Sequence, residues 1–497
     1  MSQSPDAVLE TPPQRSAGRT IARNTVFGIG AQLALKVANS ALTILIVRSI
    51  GDDGFGQYSI VFAWTALFSV IGDLGITQYL GREIARNPNK TNELFWDTVA
   101  LRFVLAVICT IVTVGGAILL TDYSSELILG FGIYCLTYFM FVFVAPFKSL
   151  LLGHERIDLI SVLEVIEKVI FMAICALFLL LKLKFLWLLA AGVITQPFII
   201  GLQIWMIRRN KMGPPRFHFN PHLWWSLVRF GLPFGFTQIA LSFAFRVDTI
   251  VLSTHVSESH VGLYSIAYGL VLTILGLASS FSGAILPTLS REFASNPDTI
   301  RSWYYNSVKI LMFLALPIAV GTTLTAPKIV EILYQPEIAP AAIALMLLVW
   351  DLPFVMYHTF SGNIANSTLR EGRAARIYVS LGFVNLALNL FLIPLFGIIG
   401  AAFATVLTDA VGAAQFYFLF RREFGAGLGL KRIIRIGIVA GLMGILIYLL
   451  RDLNFLLIVP ISAVFYLALI WVSGAFTPDE RGLLTGFIAR RLRFRTA

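Results

Sequence analysis

The chain has 497 residues, of which 57% are hydrophobic and only 13% charged, with a mean hydropathy of +0.81. Soluble domains run at about 45–50% apolar, so a soluble enzyme, a nucleic-acid-binding module and a disordered chain are excluded, and the class is a polytopic membrane protein. The net charge of +11 has to be located along the chain before it speaks about partners.

Residues 1–23 are polar, carry Pro12, Pro13 and scattered arginines, and contain no apolar run. They read as a mobile tail rather than a cleaved signal peptide. Fourteen apolar runs follow, at 24–48, 57–82, 97–121, 125–151, 159–182, 184–207, 228–254, 261–289, 302–325, 339–366, 374–394, 396–420, 432–451 and 454–474. Runs this long span a bilayer as helices, which satisfy their own backbone groups in lipid, and do not resemble barrel strands. Cys109, Cys135 and Cys175 sit inside apolar runs without paired spacing and read as small core residues. No metal site and no catalytic constellation is expected.

If the N-terminus is cytoplasmic and the spans alternate, 28 of the 38 basic residues fall in cytoplasmic segments. Only Arg48, Lys182, Lys184, Lys328 and Arg451 fall outside, and Lys36, Arg102, Lys168, Arg246 and Lys309 lie within spans. This asymmetry is the positive-inside signal of a multi-pass protein with both termini cytoplasmic. It assigns the positive charge to anionic lipid and not to nucleic acid. The connections, the longest around 208–227 and 326–338, cannot house a soluble catalytic domain, so the work is done between helices.

Shifted by 206 positions, residues 23–60 match 229–266 without a gap. The pairs include Gln32/Gln238, Thr43/Thr249 and the shared G-x-Y-S-I of 56–60 and 262–266. The repeats begin at spans 1 and 7, an even number apart, and therefore run in the same direction. That predicts two six-helix lobes related by an axis along the membrane normal. The N-lobe takes 24–207, a linker 208–227, the C-lobe 228–420, two accessory helices 421–474 and a basic tail 475–497.

Span 1 carries Gln32, Lys36, Asn39, Ser40 and Thr43 on one helical face, and span 7 carries Gln238, Ser242, Arg246 and Thr249 at related positions. Charge at mid-membrane seldom persists facing lipid, so the two stripes, with Lys309, are expected to face a shared cavity. Arg102 is expected to pair with Asp97, and Glu164 with Lys168 four residues on, leaving Glu167 for another neighbour. Asp73, Asp248, Asp351, Asp409 and His358 complete the mid-span titratable groups. With Glu167 they are candidates for binding a coupling ion, and a helix break is expected near Asp351 and Pro353. Asn385 and Asn389 are further polar candidates, with helix–helix hydrogen bonding an equally good reading.

Several segments in this order resemble the polysaccharide transporter (O-antigen type) flippases of the multidrug/oligosaccharidyl-lipid/polysaccharide exporter superfamily. They are Asn24-Thr25, R-S-I-G-D-D-G-F-G-Q-Y-S at 48–59, D-L-G-I at 73–76, R-F-G-L-P at 229–233, D-T-I-V-L-S at 248–253, V-G-L-Y-S at 261–265 and N-L-F-L-I-P-L-F-G-I-I-G-A-A-F-A-T at 389–405. The resemblance implies fourteen helices in V-shaped lobes with alternating access, in a prokaryotic plasma membrane. It implies an undecaprenyl-pyrophosphate-linked oligosaccharide as cargo, moved from the cytoplasmic to the outer leaflet, with polysaccharide polymerase or assembly proteins as partners. It implies no cofactor beyond a coupling proton or sodium ion. A cation-coupled multidrug exporter of the same superfamily is the alternative, disfavoured by Lys36 and Arg246. A polytopic glycosyltransferase or polymerase is the alternative from another class, disfavoured by the short loops.

Overall fold

The computed structural model describes residues 14–87, 90–210, 219–295, 299–368, 370–424 and 429–474. Side chains are described within these apart from 14–34, 277–295, 299–303, 366–367, 423–424 and parts of 233–245. The described residues form helices and no strand. In chain order these are α1 (Gln14–Asp73), α2 (Ile76–Arg86), α3 (Thr91–Leu120), α4 (Ser125–Gly153), α5 (Ile157–Leu180), α6 (Phe185–Arg209) and α7 (His222–Ser253). The second half comprises α8 (Glu258–Ser295), α9 (Thr299–Leu333), α10 (Ala341–Leu348), α11 (Asp351–Ser367), α12 (Glu371–Phe424), α13 (Leu430–Leu449) and α14 (Phe455–Val472).

Each of the fourteen predicted spans has a helical counterpart, with two pairs joined end to end across a non-helical glycine. α1 passes through Gly51 (φ 72°, ψ −173°) and α12 through Gly397 (φ 57°, ψ −130°), a backbone region that residues with a Cβ seldom enter. A Cβ on Gly400 would lie 2.2 Å from the Leu392 carbonyl oxygen. Residues eight apart along a straight helix are about 12 Å apart, so the chain doubles back at Gly397. The sharp glycine break is what lets 52-residue stretches, Leu35–Arg86 and Glu371–Arg422, cross twice. Counted helix by helix, nine described segments are long and apolar enough to cross a bilayer, or ten with α10 and α11 taken as one span bent by 43°. That bend falls immediately before Asp351, at the expected break. α5 misses the apolar criterion because Glu164, Glu167 and Lys168 sit on it.

α1 is helical from Gln14, ahead of the predicted start at 24. The predicted tail up to residue 13, residues 211–218 of the linker and the basic tail 475–497 lie outside the described residues. The outer helix surfaces are apolar, with Leu119 83% and Val472 82% exposed, as lipid-facing positions require.

The repeat is visible as a reciprocal contact. A Cβ on Gly56 would collide with the Glu258 carbonyl, and one on Gly262 with the carbonyl of Asp52. Asp52 and Glu258, like Gly56 and Gly262, are 206 positions apart. Residue i touching j′ while j touches i′ is the signature of a two-fold arrangement. Gln57 Nε2 donates to Glu258 Oε2 at 2.7 Å and Ser259 Oγ donates to Asp52 across the same junction. This seal lies on the face opposite the basic segments, called here the far face. Toward the basic face a second junction forms where Gly75 (φ 75°) meets Gly231 and Gly235, and Tyr79 stacks on Phe230 at 5.5 Å. The two lobes therefore touch near both faces, and α13 and α14 pack outside them on α9 through Met443, Ile447, Tyr466 and Phe313.

Candidate functional site

Between the two junctions, α1, α4, α5 and α8 enclose a cavity of about 570 Å³. Lys36, Asn39, Ser40 and Thr43 line it from α1, which is the face read from their spacing. Glu164, Glu167 and Lys168 line it from α5 and Lys148 from α4. The opposite wall is α8, with Gly269, Thr273 and Gly276 on one helical face. Lys36 Nζ donates to the Gly276 carbonyl oxygen, and the Ser40 and Thr273 hydroxyls lie 2.9 Å apart. A Cβ at residue 276 would sit 3.2 Å from Lys36 Cδ and Nζ, so the missing side chain is what lets the lysine reach the α8 backbone.

Two expected pairings are corrected. Glu164 is bound by Lys148 of α4 at 2.6 Å and not by Lys168, because adjacent antiparallel helices bring residues 16 apart into closer register than one helical turn does. Arg102 pairs with Asp73 and donates to Thr77 Oγ1 at 2.8 Å, while Asp97 accepts the backbone N–H of Asn220 at 2.7 Å. Asp73, expected among the ion-coupling acids, is thereby neutralised by a cation whose side chain is 7% exposed. Glu167 accepts from Gln196 Nε2 at 3.1 Å and keeps its place on the cavity wall.

The second stripe does not mirror the first. None of the cavity-lining residues described belongs to α7. Gln238 is exposed, Ser242 half-buried and Thr249 buried, with the Thr249 N–H donating to Asp248 at 2.7 Å. Arg246 lies over the Phe62 ring at 4.6 Å, a cation–π contact that ties α7 to the second arm of α1. Lys309 is buried in α9 away from that cavity. The Gln32 side chain lies outside the described residues.

The C-lobe acids form their own arrangement. Asp248, 3% exposed, accepts from the Tyr264 hydroxyl, which lies 3.3 Å from Thr405 Oγ1. Asp351 at the start of α11 faces the carboxyl of Asp409 from α12. His358 Nε2, one α11 face along, is 3.1 Å from Asp409 Oδ1 but out of line for a hydrogen bond. Asp351 Oδ1, both His358 nitrogens and Ser361 Oγ are buried without a hydrogen-bond partner from the chain. Buried polar groups normally find partners; others without one lie at Asp97 Oδ2, Thr98 Oγ1 and Arg102 Nε in the N-lobe. Asn389 Nδ2 donates to Asn385 Oδ1 at 3.0 Å, and Asn385 Nδ2 to Thr408 Oγ1 at 3.3 Å, the helix–helix role. Among the described residues no three His, Cys, Asp or Glu side chains group as a metal site.

Sequence reasoning missed the α8 wall and Lys148. The small residues at 269, 273 and 276 were the available signal, since one helix face of glycine and threonine within a lipid-facing length marks close approach.

The comparisons with known proteins agree with this architecture. The sequence model of the family described as "Polysaccharide biosynthesis protein" matches residues 21–293, and that of "MatE" matches 233–391. The "Probable flippase AglR" of Haloferax volcanii is 26% identical over 415 residues, covering 79% of this chain and 82% of that protein. The "Lipid II flippase MurJ" of Bacillus subtilis is 24% identical over 339 residues, covering 61% of this chain and 62% of its own. Among solved structures, "Lipid II flippase MurJ, inward closed conformation" superimposes with a TM-score of 0.76 at 13% identity, covering 89% of this chain and 98% of that one. An inward-facing multidrug resistance transporter of the same superfamily superimposes with a TM-score of 0.62 at 15% identity, covering 80% and 98%.

Proposed function

Because the chain belongs to the polysaccharide biosynthesis protein family of the multidrug/oligosaccharidyl-lipid/polysaccharide exporter superfamily, we propose that it is a flippase for a polyprenyl-pyrophosphate-linked oligosaccharide. In this reading the basic face is cytoplasmic, the membrane is the plasma membrane of a prokaryote, and the cargo moves outward for cell-surface polysaccharide assembly. The observation that carries it is Lys36, held at mid-membrane on the wall of the cavity between the lobes, with the Asn39 amide and the Ser40, Thr43 and Thr273 hydroxyls beside it. A cationic group beside the neutral hydrogen-bonding groups of α1 and α8, with Glu164 and Glu167 on the α5 side and Lys148 and Lys168 next to them, suits a pyrophosphate joined to a sugar, while the polyprenyl chain stays in lipid. Far-face and basic-face junctions that open in turn would give alternating access, and no step in this cycle requires catalysis.

The coupling ion is a proton held by Asp351, Asp409 and His358. Facing carboxyls out of water share a proton, and an adjacent imidazole supplies an acceptor that can release it. Glu167 on the cavity wall and Asp248, buried on α7, are secondary candidates for the ion. The test is reconstitution into vesicles with defined lipid-linked oligosaccharides under an imposed proton or sodium gradient. Transbilayer movement accelerated by a proton gradient is expected. Absence of movement under any gradient contradicts the flippase, and acceleration by sodium alone contradicts the proton. Export of cationic drugs by the same vesicles would favour a multidrug exporter.

A further inference from the structure

At the basic face, the start and the end of α12 close around a second cavity of about 1520 Å³. Arg370, Arg373 and Arg376 reach it from the α11–α12 connection and the first turns of α12, three residues apart, and Arg422 reaches it from the opposite end of the folded-back helix. Thr368 and Gln415 add neutral polar groups, and among the described residues no carboxylate lines the cavity; Glu371, next to Arg370 in sequence, is exposed and not part of its wall. The remaining wall is apolar: Ile377, Phe418 and Leu419, with Phe418 63% exposed.

A topology signal asks only that arginines lie on this face. It does not ask for four of them to converge on one concave wall, from two chain segments about 50 residues apart in sequence, with an apolar side toward lipid. Two guanidiniums are also oriented by the backbone, Arg370 Nη1 donating to the Thr368 carbonyl at 2.8 Å and Arg376 Nε to that of Gly372 at 3.4 Å. Gly372 and Arg373 belong to the first turn of α12, the positively polarised end of a long helix. Guanidinium forks match phosphate oxygens in pairs, and an apolar flank beside them matches the first carbons of a lipid chain. The ligand class is thus a phosphate carried by a lipid.

We propose that this arginine bowl binds the phosphate headgroup of a membrane lipid. Two sources carry that chemistry, anionic phospholipid of the bulk leaflet and the diphosphate of a polyprenyl-linked cargo waiting to enter; only the second rests on the flippase reading. The full chain, purified in detergent, is titrated with phosphatidylglycerol or with undecaprenyl diphosphate, and bound lipid is counted by native mass spectrometry. Because binding is read without transport, a failed flippase assay leaves this result intact and the reverse.

In the R373Q/R376Q variant, binding of at least one of the two lipids is expected to weaken on the order of tenfold or more, the size of losing charge-assisted hydrogen bonds. Loss confined to phosphatidylglycerol assigns the site to bulk lipid, and loss confined to the diphosphate assigns it to cargo. The matched control R208Q/R209Q removes the same charge from the same face outside the cavity and is expected to bind both lipids as the wild type does. Wild-type binding by R373Q/R376Q, equal loss in the control, or no binding of either lipid by the wild type overturns the proposal. If R373Q/R376Q does not fold, R373K/R376K replaces it: a severalfold loss with charge retained supports paired guanidinium contacts, and wild-type binding overturns them.

Discussion

The two lobes share a backbone repeat and differ in how their ionisable side chains face one another, with ion pairs in one and an acid facing an acid in the other. The N-lobe contains ion pairs, Asp73 with Arg102 and Glu164 with Lys148, while Lys36 has a helix carbonyl and Glu167 and Asp97 have the neutral donors of Gln196 and the Asn220 backbone. In the C-lobe acid faces acid, with Asp351 against Asp409, His358 alongside, and Asp248 held by hydroxyl and backbone donors. The repeat register makes the divergence explicit. Lys36 corresponds to Ser242, Ser40 to Arg246 and Leu42 to Asp248, whereas Gly56/Gly262 and Tyr58/Tyr264 are kept. The glycines that set lobe packing are held in common, and the groups that do chemistry are not. Under the proposed function, the Lys36 wall of one lobe would take the cargo and the acid cluster of the other would take the proton.

The contrast breaks most visibly through stability. Removing Arg102 leaves Asp73, 28% exposed, with only the Thr77 donors, a loss of about 3 kcal/mol at the lower end of the range for ion pairs out of water. Arg102→Ala is therefore expected to lower the free energy of unfolding by that order in a denaturant titration, and R102A/D73A to recover most of it. If the single and double variants are equally unstable, the ion pair is not what holds α3 against the α1–α2 break. Next in size is the far-face junction. A methyl at residue 262 would lie 2.1 Å from the Asp52 carbonyl oxygen, so Gly262→Ala should destabilise by about 1–3 kcal/mol as overpacked contacts do. It should also raise the reactivity of a thiol introduced at Gln57, and unchanged labelling would mean that the lobes do not meet there.

The C-lobe has the opposite expected sign. Asp351→Asn removes an acid that faces an acid, so stability should hold within about 1 kcal/mol of wild type or rise. Gradient stimulation of transport should be lost at the same time. A collapse of stability as large as that of R102A would erase the distinction between the lobes. The smallest effect belongs to the exposed pair at the start of α5. The hydrogen bond from Arg156 holds Asp158 below the usual aspartate range. A lowered folded pKa contributes stability that is present above the unfolded value and lost as pH falls through the folded one. Thermal melts of Arg156→Ala should fall only slightly below wild type near neutral pH, because the ion pair is solvent-screened and the hydrogen bond to Asn210 is lost with it, and should show less decline in acid.

Much of the fold was legible because lipid enforces it. Apolar runs, the alternation of basic segments and the G-x-Y-S-I repeat each reflect a physical demand that acts along the chain. Gly51 and Gly397 were not singled out, since a glycine among apolar residues looks the same whether it continues a helix or reverses it. Lys36, Asn39 and Ser40 were found on one cavity wall because a helical face is a local property. The partner wall was assigned to α7 and is α8, because the facing element is set by how lobes dock, not by spacing within a helix. The same reason explains Lys148–Glu164 and Asp73–Arg102, both pairings between elements that sequence distance does not reveal. The bowl at Arg370, Arg373, Arg376 and Arg422 read only as orientation signal until the fold-back of α12 brought its two ends together.

In the proposed cycle Lys36 receives the charged part of a lipid-linked glycan. Translocation of such a lipid is measured in vesicles holding wild type, Lys36→Ala or Lys36→Arg at equal, folded protein. Lys36→Ala is expected to lose on the order of tenfold or more, the size of one charge-assisted contact, with partial recovery in Lys36→Arg. Wild-type translocation by Lys36→Ala would contradict that role.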